Sequence, residues 1–311
     1  MGRVREFIKA RSAREKRFLV LLVLVGLFYG GLQIYQYWTP DRTVESAHYK
    51  IDSTETEEVT QEAARMAESL FACYRDTLGS KVGFEVPEAS LYMRLYKNRE
   101  EFKRCNILVP GYAEAVYRGK TCHQYYNEDE ANPWHWMLHE ATHQLNREVA
   151  GLKLELWLEE GLACYYSTNV IGKDGSIKLG EVDFNTYPIW WLDSLAPSGN
   201  WDDDLKSQKI IPLENIIKGN GPPVRKHVNT YYLHWWSLAH FLFHSESGKY
   251  RDGLYQLIEE GGSLEGFETY IGKLSEIEPL WYAYFGKWGQ RKNPEKEIVF
   301  AYLTSSQRTA F

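Results

Sequence analysis

Positive charge falls short of negative charge beyond the first 17 residues of this 311-residue chain. Those residues hold seven basic side chains against two acidic ones, and the whole chain stands at −6, which leaves the remainder at −11. An acidic body argues against nucleic acid or anionic lipid as its partner. Cysteine is sparse as well. Cys73, Cys105, Cys122 and Cys164 lack the spacing of a zinc cluster. In an oxidising compartment the four would permit two disulfides in any of three pairings, and one disulfide involving Cys105 or Cys122 is expected. There is no internal repeat and no low-complexity tract. The composition, 44% hydrophobic, 15% aromatic and 25% charged, is that of a folded protein long enough to bury a proper core.

Charge of either sign is missing from Phe18 to Pro40, and Phe18 to Tyr29 is almost wholly apolar. A helix needs about 20 such residues to cross the hydrocarbon core. Tyr35, Tyr37 and Trp38 supply an aromatic belt at the far end, and the basic flank keeps the N-terminus in the cytoplasm. Everything after Pro40 would then lie outside the cytoplasm. No A-x-A-like site follows the apolar run, so an uncleaved signal anchor is expected. The expected organisation is a cytoplasmic tail at 1–17, a transmembrane helix at 18–38, a polar stalk at 39–56, a folded domain at 57–290 and a C-terminal tail at 291–311.

Two histidines stand four apart in His139-Glu140-Ala141-Thr142-His143. Asn132 followed by Pro133 marks a helix start. No breaker interrupts Trp134 to Leu145, which puts the motif in mid-helix. On a helix the two imidazoles project from one face and can grip one Zn²⁺, with Glu140 beside the open coordination position. A helix with two partly buried, hydrogen-bonded histidines fits the same spacing. His135, a turn nearer the helix start, reads as wall or as a side chain behind the ligands.

A third protein ligand is needed. Glu148-Val149-Ala150-Gly151 reads as a helix end, after which Leu154 to Tyr166 reads as a second helix with carboxylates Glu155, Glu159 and Glu160. Glu160 is the expected ligand, because it precedes Gly161-Leu162-Ala163, where small residues let helices lie close. Glu159 points about a quarter-turn away and is the alternative. A solvated helix start suits Glu155, and Glu159 as well, better than it suits Glu160.

Read together, His139–His143 and the segment Trp157-Leu158-Glu159-Glu160-Gly161-Leu162-Ala163 resemble the gluzincin branch of the HExxH metallopeptidases. More narrowly, the chain is similar to peptidase-MA-like domains from about Leu91 to Gly286. The resemblance implies an α+β fold, a zincin-like catalytic domain with a small mixed sheet and a helical C-terminal half. It implies zinc on His139, His143 and Glu160, with Glu140 as general base. It also implies a donor for the developing oxyanion from a later helix, where Tyr232 is the best positional match and Tyr231 and His234 are rivals. The expected activity is hydrolysis of internal peptide bonds in a peptide or protein substrate. Asn146 and Val149 stand where a metzincin needs Gly and His. No G-x-M-E-N segment precedes His139, so exopeptidase activity is not supported. Cys164 stands where thermolysin-like enzymes place an Asp to orient a histidine, so that support must be built differently. A catalytically silent zincin-fold binding or scaffold protein is the alternative, and a zinc amidase acting on cell-wall peptide a weaker third.

Around the motif, Ala63, Met66, Leu70 and Cys73 carry a helical period. Strands are expected near 90–96 and 113–126, divided by a helix around Phe102. Ala115 to Tyr126 reads as a hairpin just ahead of the zinc helix, where gluzincins bind an extended substrate by strand addition. Beyond Glu160 the chain reads as mainly helical. Gly172 to Gly175 forms a turn, Trp190 and Trp191 are core or cleft wall, and Gly219 to Pro223 is a loop before the Tyr232 helix. Two more helices are expected at 245–290.

Overall fold

The computed structural model describes residues 13–292, apart from the side chains at 13, 16, 29, 32–35 and 292. Most of the expected cytoplasmic and C-terminal tails therefore lies outside the described residues. The first helix, α1 (Ala13–Tyr35), ends short of residue 38. Most of its described apolar side chains, among them Phe18, Leu22, Val25 and Phe28, are exposed. The run from Phe18 to Phe28 spans about 16 Å at 1.5 Å per residue, roughly half of a bilayer's hydrocarbon core. No helix among the described residues is long and apolar enough to cross a membrane.

A five-stranded mixed sheet follows, built from β1 (Arg42–Glu45), β2 (Tyr49–Ser53), β3 (Leu91–Tyr96), β4 (Ala115–Arg118) and β5 (Thr121–Tyr125) in the order β1-β2-β3-β5-β4. The three inner strands are parallel, and both edge strands run antiparallel to their neighbours. Alternation sets the faces: Leu91, Met93 and Leu95 are buried, while Tyr92 and Arg94 between them are only half-buried. Ile51 lies opposite Met93, which lies opposite Cys122, and this inner face holds the main core. On the other face α3 (Arg99–Cys105) covers a small cluster of Tyr96, Phe102 and Cys105.

Two expectations are corrected here. The stalk at 39–56 carries β1 and β2, and Tyr49 and Ile51 are fully buried. Burying two such side chains is worth roughly 1.5–3 kcal/mol each, which a solvated stalk would forgo. The segment looks polar because Lys50 and Asp52 occupy the alternate, outer positions. The expected disulfide is not formed; all four cysteines are free. Cys105 belongs to the outer cluster and Cys122 to the inner core, on opposite faces of the sheet.

The first core helix, α2 (Glu57–Tyr74), begins at Thr56, whose hydroxyl accepts from the Val59 N–H at 3.3 Å, and buries Ala63, Met66, Ala67 and Leu70. Then come α4 (His135–Gln144), α5 (Leu156–Ser167), a hairpin of β6 (Asn169–Ile171) and β7 (Ile177–Val182), and α6 (Val228–His244). The last part holds three helices where two were expected: α7 (Arg251–Glu260), α8 (Leu264–Tyr270) and α9 (Leu274–Lys292). Gly161 explains why α5 and α6 lie so close. A Cβ there would stand 3.0 Å from the Trp235 carbonyl oxygen and 3.5 Å from the Ala239 Cβ, so only glycine fits without displacing backbone.

Candidate metal centre

Asn132 closes the turn that leads into α4. Its side-chain oxygen accepts from the Trp134 N–H at 3.2 Å, and its carbonyl lies 2.8 Å from His135 Nδ1. His135 is thereby held apart from the group that could hold a metal, in keeping with its reading as wall. At the far end α4 runs into one π-helical turn, Leu145–Val149. The helix is fastened across the sheet by Gln144, whose Nε2 donates to the carbonyls of Tyr92 at 3.1 Å and Lys120 at 2.9 Å.

These fixings bring three ligand atoms to one point. His139 Nε2 and His143 Nε2 lie 3.3 Å apart. Glu160 Oε2 lies 3.2 Å from the first and 3.7 Å from the second. A tetrahedral zinc with bonds of about 2.0–2.1 Å puts its ligand atoms about 3.3 Å apart, which the triad matches. Glu160 Oε2 is buried, and its polar neighbours are the two imidazole nitrogens, an arrangement in which all three atoms could share one cation. The triad is also the one group of three or more potential ligands that meets the spacing for a metal among the described residues.

Electrostatics point the same way. Burial would raise the Glu160 carboxyl, but the charge on His143 outweighs it and holds the group well below the usual carboxylate range. Burial would lower the His143 imidazole, and the Glu160 charge, followed by the hydrogen bond to Glu159, pushes it well above its ordinary value instead. The cluster thus demands a shared positive charge, supplied by a proton or a metal ion.

Glu159 takes a different part from either expectation. It is neither solvated nor aimed at the ligand point, being 6% exposed with Oε1 at 3.1 Å from His143 Nδ1. Accepting from Nδ1, it would favour the tautomer whose Nε2 could bind a metal. Arg147 Nε stands behind it at 3.4 Å. Glu155, as expected, is exposed. Behind His139 the neighbour is Cys164, with Sγ 3.9 Å from Nδ1. Burial, then the Glu160 and Glu140 charges, push that thiol well above its ordinary value, so it stays protonated.

Glu140 lies beside the triad and is fixed from β4. The Tyr117 N–H donates to Glu140 Oε2 at 2.6 Å. The hairpin has a two-residue turn, Gly119 and Lys120, both with positive φ, which makes Arg118 and Thr121 its first hydrogen-bonded pair. Tyr117 and Ala115 therefore turn their backbone N–H and C=O outward, toward the cleft. The Tyr117 hydroxyl donates to Glu148 Oε1 at 2.7 Å, and Lys120 Nζ pairs with Glu148 Oε2 at 2.9 Å, tying the hairpin to the end of the motif helix.

The cleft opens on both sides of Glu140. One side, about 730 Å³, is walled by Tyr112, Tyr125, Trp136, Tyr187 and Trp190. The other, about 960 Å³, runs past Leu108, Arg118, Arg147 and Leu156. Tyr232 borders both. Its ring stacks on His139 with centroids 6.1 Å apart, and burial followed by the Glu160 charge raises its phenol well above the ordinary value, so it remains a proton donor. The two rivals are placed elsewhere. Tyr231 donates to the Pro222 carbonyl at 2.7 Å. His234 is wholly buried between the Thr230 carbonyl at 2.6 Å and the Ile211 N–H at 3.1 Å.

Sequence reasoning missed Tyr187, whose ring lies 5.3 Å from that of Tyr232 and whose hydroxyl donates to Asn229 at 3.2 Å. One tyrosine among 22 carries no local signal for such a place. It missed Tyr117 too, since a backbone N–H has no sequence signature. Comparison of the chain with protein-family models and with curated proteins finds no match.

Proposed function

We propose that this protein is a zinc-dependent endopeptidase, anchored to a membrane by the charge-free segment from Phe18 to Pro40 with its catalytic domain outside the cytoplasm. The observation that carries the reading is the tetrahedral spacing of His139, His143 and Glu160 beside a tethered carboxylate, at the floor of a cleft open at both ends. Bound zinc supplies Lewis acidity toward a carbonyl oxygen and a more acidic water. The chain's own residues do the rest. With Oε2 held by Tyr117, Glu140 keeps Oε1 free to take a proton and deliver it to the leaving amine. The Tyr232 hydroxyl donates to the oxygen that gains charge. The outward backbone groups of Ala115 and the Tyr117 carbonyl suit an extended peptide added beside β4. Space on both sides of Glu140 favours an internal segment over a chain end.

The anchor is supported by the exposed apolar side chains of α1, which soluble monomers rarely leave uncovered at that extent, and by the basic residues before it. The test is incubation of the zinc-loaded full chain with a mixture of unfolded proteins, beside Glu140→Gln. Cleavage by the parent and none by the variant, with zinc held by both, is expected. If neither cleaves while each holds one zinc, the binding or scaffold reading takes its place.

A further inference from the structure

The segment between α3 and β4 shows apolar side chains to solvent on an otherwise acidic body. Leu108 is 85% exposed, Tyr112 67% and Ile107 39%. Apolar surface grouped in one loop marks a contact site. Its place in the fold says what covers it. The Cys105 carbonyl accepts from Gln36 Nε2 at 3.3 Å, and Arg104 Nη1 donates to the Tyr37 carbonyl at 2.9 Å. The Trp38 ring meets Tyr96 edge-on at 5.1 Å. The residues that follow α1 are thus docked on the end of α3, and Leu108, three residues past Cys105, lies at most about 11 Å from it along the chain. Tyr37 is itself 73% exposed, so the apolar surface of α1 continues through an aromatic residue toward the loop. Leu108, Val109, Pro110 and Tyr112 also line the cleft together with His139, Glu140 and His143.

We propose that the loop at 107–112 seats in the lipid interface beside α1, and that the cleft therefore takes its polypeptide at the bilayer surface. The substrate class is the membrane-adjoining segment of another membrane protein, in place of peptides free in solution. The proposal rests on the anchored-peptidase reading and adds to it. Net charge plays no part in the seating, because the body is acidic; zwitterionic lipid suffices.

The experiment uses the full chain in phosphatidylcholine vesicles, with an environment-sensitive dye on Leu108→Cys and, as reference, on Lys249→Cys, whose native side chain is exposed and distant in sequence. Unsubstituted chain gives the background from native thiols. Several-fold brighter emission from position 108 is expected, quenched by spin-labelled lipid but not by aqueous iodide, and unchanged by salt. Equal iodide quenching at both positions, in chain that resists an alkaline wash of the vesicles, overturns the seating alone. Chain that washes out overturns the anchor and the seating with it. For the substrate class, the parent is expected to cut a single-span protein next to the bilayer faster than the same sequence as a free peptide. Ile107→Asp should lose that preference and still cut the free peptide at the parent rate. Equal rates on both substrates by the parent overturn the assignment, whereas no cleavage of either substrate counts against the peptidase reading itself.

Discussion

Removing the Glu159 carboxylate separates a metal centre from a pair of ordinary core histidines. Its Oε1 lies 3.1 Å from His143 Nδ1, where it would leave Nε2 as the lone pair offered to a metal. Loss of such a partner typically weakens metal binding about 10–100-fold, or about 1.4–2.8 kcal/mol. Glu159→Ala should reach that range. Glu159→Gln keeps an oxygen that can accept from Nδ1 while losing the charge, and should fall about tenfold or less. Arg147 loses its partner in either variant, but its side chain is 53% exposed and water replaces the contact at little cost. On the other ligand the support is weak: the Cys164 thiol at 3.9 Å from His139 Nδ1 should matter less than about fivefold when replaced by alanine. The assay is equilibrium competition for zinc against a chelator of known affinity, at one pH and ionic strength. Undiminished affinity in Glu159→Ala, or a larger loss in Cys164→Ala, would refute the account of how the histidines are held.

Two further expectations concern the donor and the protons. Tyr232→Phe should lower kcat about 10²–10³-fold with KM and zinc affinity near the parent's, the signature of a donor used in the transition state; steady-state kinetics on a defined peptide decide it. In chelator-stripped protein, the raised His143 contributes stability that is complete below its ordinary 6.5 and lost as pH rises through its folded value. The depressed Glu160 contributes stability present above its ordinary 4.5 and lost as pH falls through its folded value. Tm of the stripped protein should therefore peak between 4.5 and 6.5, while zinc, which needs both imidazoles unprotonated, should stabilise increasingly above that window. Parallel Tm profiles with and without zinc would count against the shared-charge description.

What could be read from the chain was what short-range spacing encodes. The four-residue step from His139 to His143, the helical period of α2, the alternation in β3 and the small residues after Glu160 all emerge as expected elements. The unread parts depend on partners far along the chain. Strands β1 and β2 are only four and five residues long and gain a buried face only when Tyr49 pairs with Leu91. Cysteine count gave parity but no geometry, and the sheet keeps Cys105 and Cys122 on opposite faces. Tyr231, Tyr232 and His234 share one helix, so the choice among them turns on the rotation of α6 about its axis. The close approach at Gly161 helps fix that rotation, and it puts Tyr232 against His139.

The tether on Glu140 leads to the least obvious substitution. Proline is usually excluded from a strand because it removes a ladder donor, yet an edge strand tolerates it where the N–H faces away from its neighbour. Position 117 is such a place: the register pairs it with Cys122 outside the hydrogen-bonded pairs, and its N–H goes to Glu140 instead. Tyr117→Pro should therefore leave the hairpin and the zinc site formed while freeing Oε2 from its donor. Tyr117→Phe is the matched control, since it loses only the phenol contact to Glu148. If the tether sets the base, the proline variant should bind zinc like the control and cleave far more slowly, because the carboxylate has lost the donor that fixes its orientation. A proline variant as active as the control would mean that Glu140 is positioned by α4 alone, and that β4 serves the substrate without serving the base.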